Sequence, residues 1–129
     1  MAKITNHKKK LLIIEDEPIF LELLTDKFES EEFKTFRAQT AEKGIKLALK
    51  HHPDLILLDI ILPKMDGLAM LSILRKDRWG KNTPVIILSN TSDQKRVSQA
   101  LKLGVYDYLV KTNFTLKELV SQVKEVVRY

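Results

Sequence analysis

Short apolar runs alternate with amphipathic stretches along the whole of this chain. Apolar residues occupy consecutive positions at Leu11-Leu12-Ile13-Ile14, Leu55-Ile56-Leu57-Leu58 and Val85-Ile86-Ile87-Leu88. Brief runs without period-two alternation fit strands covered by helices on both faces. Two further strand-like stretches complete a set of five, at about 10–15, 33–38, 54–59, 84–89 and 106–110.

Between and after them the apolar period lengthens to that of a helix. The first helix opens with Pro18 and repeats Phe20, Leu23, Leu24 and Phe28. The second follows Thr40 as a cap, with Ala41, Ile45, Ala48 and Leu49 inward, and ends before Pro53. The third starts near Asp66-Gly67, read as a helix cap with a turn glycine, and carries Leu68, Leu71 and Leu74. The fourth starts near Asp93, buries Val97, Ala100 and Leu101, and stops at Gly104. In the fifth, Thr115 and Glu118 stand at capping-box spacing, with Phe114 and Leu119 placed as a staple. Its inward stripe is Leu116, Leu119, Val120, Val123, Val126 and Val127. Strict strand–helix alternation predicts an α/β domain with a parallel sheet and right-handed crossovers.

The strand ends carry the chemistry. In such a sheet Glu15, Asp16 and Asp59 arrive at the carboxyl edge, where ligands of open α/β sheets bind. Crowded carboxylates repel one another, and a cation between them relieves that. The other strand ends add the hydroxyl of Ser89 and the ammonium of Lys111. Acids, hydroxyl and ammonium together suit magnesium-assisted phosphoryl transfer to a carboxylate.

Composition narrows the picture further. The chain has 129 residues, 44% hydrophobic and 30% charged, enough for one globular domain. The net charge of +5 invites a nucleic-acid reading, but Lys3, Lys8, Lys9 and Lys10 account for most of it. The rest holds 18 Lys and Arg against 17 Asp and Glu. A basic tail over residues 1–8 is therefore expected, followed by the folded domain over 9–129, with no direct nucleic-acid contact. Without cysteine there is no disulfide or thiolate chemistry. No apolar stretch is long enough for a signal core or a membrane span, which points to a cytoplasmic protein. The histidines His7, His51 and His52 lack metal-ligand spacing and read as surface residues, and Met65 and Trp79 as packing.

Five segments, in order, resemble the receiver domain of bacterial two-component response regulators, of the chemotaxis-regulator type. They are Leu12–Pro18, Pro53–Asp59, Leu62–Gly67, Pro84–Ser89 and Gly104–Lys111, within a likeness spanning roughly residues 9–128. The resemblance implies a flavodoxin-like, doubly wound (βα)5 sheet of strand order 2-1-3-4-5. It implies that Asp59 accepts a phosphoryl group from a phosphohistidine of a sensor histidine kinase or a phosphotransfer protein. Glu15, Asp16, Asp59 and the backbone carbonyl of Ile61 would hold Mg2+. Ser89 would bond the phosphoryl oxygens, Lys111 would pair with Asp59 or its phosphate, and Tyr108 would turn inward when Ser89 is recruited. The output surface would be the face of helix four, strand five and helix five, with Arg96, Lys102, Asp107 and Tyr108. That face would serve a downstream effector or a weak homodimer. The domain would thus be a signalling switch rather than an enzyme, assisting its own phosphorylation and dephosphorylation.

Three departures stand out. Glu15 replaces the commoner Asp, Asn90 follows Ser89 where a small residue is usual, and Thr112 replaces the proline after Lys111. Without proline, a trans Lys111–Thr112 bond is expected. Two other functions remain to be separated from the switch. A degenerate receiver, acting only as a binding module, is opposed by the intact Asp16, Asp59, Ser89 and Lys111. A magnesium-dependent phosphohydrolase would want a second acid where Ile61 stands.

Overall fold

In the computed structural model, residues 7–129 are described, so Lys3 and most of the expected basic tail lie outside the described residues. Strands β1 (Lys10–Ile14), β2 (Lys34–Ala38), β3 (Leu55–Leu58), β4 (Val85–Ser89) and β5 (Asp107–Val110) form one parallel sheet in the order β2-β1-β3-β4-β5. Helices α1 (Pro18–Ser30), α2 (Ala41–His51), α3 (Gly67–Lys76), α4 (Gln94–Lys102) and α5 (Leu116–Val127) alternate with them. This is the flavodoxin-like arrangement expected, with each strand within a residue or so of its anticipated place.

Period-two side-chain direction splits the consecutive apolar runs between two cores. Leu12, Ile14, Ile56 and Leu58 pack with Leu71, Leu74 and Ala100 on one face. Leu11, Ile13, Leu55 and Leu57 pack with Leu24, Phe28 and Val123 on the other. Each fully buried Leu or Ile contributes about 1.5–3 kcal/mol relative to exposure, so these central strands dominate the stability. Met65 and Trp79 pack against the first core, as expected.

The caps hold up as well. Thr40, Asp66 and Asp93 accept from Lys43, Ala69 and Lys95 backbone N–H groups. Both halves of the Thr115–Glu118 box form, and Phe114 and Leu119 join the second core. No peptide bond among the described residues is cis, so Lys111–Thr112 is trans.

The corrections concern helix phase. Leu23, Leu49 and Leu101 are exposed, although each was expected inward. In α1 the buried stripe is Leu21, Leu24, Thr25 and Phe28, one clean i, i+3, i+4, i+7 row, which leaves Leu23 on the flank. In α4 only Ala100 is buried, because this short helix meets the sheet along a narrow line near β5, at the sheet edge. Nor is every histidine a simple surface residue. His51 is half-buried and stacks on Phe36 at 4.1 Å, while His52 stacks on Trp79 at 4.4 Å.

One arginine joins three segments. The Arg75 guanidinium donates to the carbonyls of Leu103 (2.7 Å), Gly104 (3.1 Å), Gly80 (2.7 Å) and Thr83 (2.8 Å). It ties the end of α4 and the turn before β4 to the last turn of α3. No carboxylate is involved. Carbonyl dipoles, including those at the end of α4, offset the loss of hydration.

Candidate functional site

The site lies at the carboxyl edge of the sheet, where the neighbouring strands β1, β3, β4 and β5 all end. Glu15 follows β1 and is held by its own backbone N–H on the Ala38 carbonyl at 2.9 Å. Asp59 follows β3, its N–H on the Ile14 carbonyl at 3.0 Å. Lys111 follows β5 and is fixed to the end of β4 by its N–H on the Ser89 carbonyl at 2.8 Å. Ordinary sheet pairing thus carries the functional side chains into one pocket.

Carboxylate oxygens of Glu15, Asp16 and Asp59 lie within 4.8 Å of one another. The Lys111 ammonium bridges two of them, donating to Glu15 Oε1 at 2.6 Å and Asp59 Oδ2 at 3.3 Å. The second oxygen of Glu15 accepts from the Glu17 N–H at 3.0 Å, and Asp59 Oδ1 from the Ile61 N–H at 3.1 Å. Glu15 and Asp59 are buried, whereas Asp16 is exposed. Phe20 lies beneath the ammonium, its ring centroid 4.8 Å from Lys111 Nζ.

Electrostatics follow from this crowding. Burial pushes the Glu15 carboxyl above its usual range, against the opposing pull of Lys111 and the Glu17 N–H. Burial likewise raises Asp59, and the Asp16 charge adds to it, while the Ile61 N–H and Lys111 pull the other way. Burial alone would lower Lys111, but its bond to Glu15 and the charge of Asp59 outweigh that and hold the ammonium above its ordinary value. Three acids against one base leave net negative charge in a partly dehydrated pocket. All donors are hard oxygens, so the residues fit a small divalent cation.

Ser89 is fully buried at the end of β4, and its Oγ accepts from the Thr91 N–H at 3.2 Å. The Tyr108 phenol donates to the Thr91 carbonyl at 2.7 Å. Burial holds that phenol above its ordinary value, only partly offset by the neighbouring Ser89 hydroxyl. Thr91 therefore links Ser89 to Tyr108. Ile61 meets the pocket through its N–H, with its side chain half exposed.

The residues expected on the output face divide. Asp107 faces α5, accepting from Gln122 Nε2 at 2.7 Å, and from the Tyr108 N–H. Arg96 and Lys102, both on α4, line a groove between α3 and α4, with Arg96 Nη1 3.7 Å from Asp66 Oδ2. Phe20 and the linking role of Thr91 escaped the sequence reading. Phe20 sits in an apolar helical repeat and carries no chemical mark of its own. Among the described residues, no helix is long and apolar enough to cross a membrane.

Comparisons with known proteins point the same way. The family described as "Response regulator receiver domain" matches residues 11–124. The "DNA-binding dual master transcriptional regulator RpaA" of Synechocystis is 33% identical over 119 residues, 92% of this chain and 49% of that protein. The chain thus spans about half the length of this relative. The Francisella response regulator 1452 receiver domain superposes with a TM-score of 0.85 at 32% identity, covering 94% of this chain and 98% of that one. A CheY-like receiver domain protein from Methanospirillum hungatei shares the fold at a TM-score of 0.88 and 24% identity, covering 95% of each. With the pocket, the sheet order and the matched span in agreement, this chain belongs to the response regulator receiver domain family.

Proposed function

We propose that Asp59 is the phosphoacceptor of a phosphorylation-driven signalling switch in the cytoplasm, charged by a phosphohistidine of a sensor histidine kinase or a phosphotransfer protein. The observation that carries this reading is Lys111 Nζ standing between the buried Glu15 and Asp59 carboxylates, with Asp16 alongside. An Asp59 oxygen forms the new bond to phosphorus as the phosphorus–nitrogen bond breaks, and the imidazole leaves with that electron pair. The chain's contribution is placement and charge. The Ile61 N–H holds one Asp59 oxygen, and Lys111 offsets negative charge at the other. Mg2+, held by Glu15, Asp16, Asp59 and the Ile61 carbonyl, would supply further neutralisation at the transferring oxygens.

The switch follows from the Thr91 link. A Ser89 hydroxyl turned toward a phosphoryl oxygen no longer accepts from Thr91, which frees the β4–α4 loop and the Tyr108 anchor with it. Two packed arrangements result, and phosphorylation biases the choice between them. We assign the output to the α4–β5–α5 face, for partner binding or a weak dimer, with no nucleic-acid contact by this domain. Beryllofluoride in place of the phosphoryl group should shift the amides of Thr91, Tyr108 and the first turn of α4. Shifts confined to residues touching Asp59 would contradict the route.

Metal binding should be weak and should depend more on Asp16 than on Glu15. Glu15 already spends both oxygens on Lys111 and the Glu17 N–H, whereas Asp16 is exposed. Because Glu15 and Asp59 titrate above their usual range, they take up protons as the pH falls toward it, so Mg2+ affinity falls and binding releases protons. Calorimetry in buffers of different ionisation heat reads both effects. An Asp16→Asn variant that binds Mg2+ as tightly as wild type would move the metal site elsewhere.

A further inference from the structure

The groove between α3 and α4 has no part in the chemistry above, yet its charges are arranged for a ligand. It encloses about 680 Å³. Leu68 and Leu103 give it an apolar base, and Lys95, Arg96 and Lys102 line it. Its two acids are already engaged: Asp66 accepts from the Ala69 N–H at 2.8 Å and Asp93 from the Lys95 N–H at 3.2 Å. Arg96 is ion-paired with Asp66 Oδ2 at 3.7 Å, but its buried Nη1 makes no hydrogen bond, because that distance is too long for one. Among the described residues, neither the Lys95 nor the Lys102 ammonium makes a salt bridge.

Spacing identifies the class of partner. Lys95 and Lys102 are seven residues apart on one helix, so they share a face about 10 Å apart along its axis. A single small anion cannot reach both. Acidic side chains two turns apart on a second helix, with apolar residues between them, can. We propose that the α3–α4 groove is a docking site for an acidic amphipathic helix of a partner protein, seated with its apolar stripe on Leu68 and Leu103. A second copy of this chain is a poorer occupant. Its α1 exposes Ile19 and Leu23 beside Glu22 and Glu29. However, Glu22 is paired with Arg37 and Glu29 accepts from Thr35 Oγ1, and a head-to-tail contact of this kind need not close.

The test uses the full chain, labelled for amide NMR, and a synthetic helical peptide with Glu at i and i+7 and Leu at i+3 and i+4. A matching peptide with Lys in place of Glu is the control. Shifts should appear at Ala69, Gln99 and Leu103 with the Glu peptide only, and should weaken as salt is added. The Lys95→Glu/Lys102→Glu variant should bind at least about tenfold more weakly. Both lysines are exposed, and an unchanged melting temperature would show that the variant is folded. Any of four peptide results would overturn the proposal: no shifts in the groove, shifts centred instead around Lys8 and Lys34, equal binding of the Lys peptide, or undiminished binding by the variant. Sedimentation that shows self-association through this face would give the groove to a second copy instead.

Discussion

Asp59→Asn is expected to abolish phosphoryl uptake from acetyl phosphate in the presence of Mg2+. Intact-mass measurement should show one added phosphoryl group on the wild type and none on the variant. An amide nitrogen is no nucleophile toward phosphorus, and no other acid of the pocket is placed like Asp59. Lys111 holds Glu15 more closely, at 2.6 Å against 3.3 Å for Asp59, and Asp16 stands out toward solvent. Loss of fold is not the anticipated cause. Asparagine has nearly the same shape, and Lys111 keeps its 2.6 Å contact with Glu15. Removing a charge that burial disfavours should make the metal-free protein more stable rather than less. A folded variant that still gains a phosphoryl group would transfer the acceptor role, with Asp16 the first residue to examine.

Gly67→Ala should cost roughly 2–4 kcal/mol of stability, a substantial fraction of the roughly 5–15 kcal/mol that a domain has to lose. A Cβ at this position would lie 2.4 Å from the Asp59 carbonyl oxygen and 2.6 Å from Ile60 Cα. Both obstacles are backbone, so no side-chain rotation can relieve them. The Gly67 N–H also bonds the Ile60 carbonyl at 2.9 Å, which pins the start of α3 against the exit of β3. A methyl group would push helix and loop apart at the phosphoacceptor itself. Urea unfolding should show a lower midpoint with an unchanged slope, and phosphorylation of the folded fraction should slow. A loss below ~1 kcal/mol would mean that the helix shifts freely, and the close approach would have no structural weight.

Gly67 also shows where the sequence was legible and where it was not. Its place beside Asp66 marked a helix start, and the Asp66 cap is there. Its reason is different from the one expected: contact with another strand's exit, which no local pattern encodes, rather than a turn. The strands were legible because burial on both faces leaves unbroken apolar runs, as in Leu55–Leu58. Glu15, Asp59 and Lys111 were legible because parallel topology maps strand ends onto one edge. Helix phase at the periphery was less so. Leu23, Leu49 and Leu101 satisfy an apolar period, yet only the tilt of each helix on the sheet decides which flank is covered. Arg96 and Lys102 were placed on the right helix, while their grouping with Asp66 depends on how α3 and α4 lie together.

The four carbonyl contacts of Arg75 give α4 a fulcrum. Its nine residues span about 13 Å, with the Leu103 end clamped and the other end attached through the Thr91–Asp93 loop. A displacement of about 1 Å at the free end therefore becomes a tilt of roughly 4°, with almost no travel at the clamped end. Motion along the helix is graded rather than uniform. A partner that grips the first turn senses the full stroke, whereas one that grips only the last turn, by Lys102, is nearly blind to it.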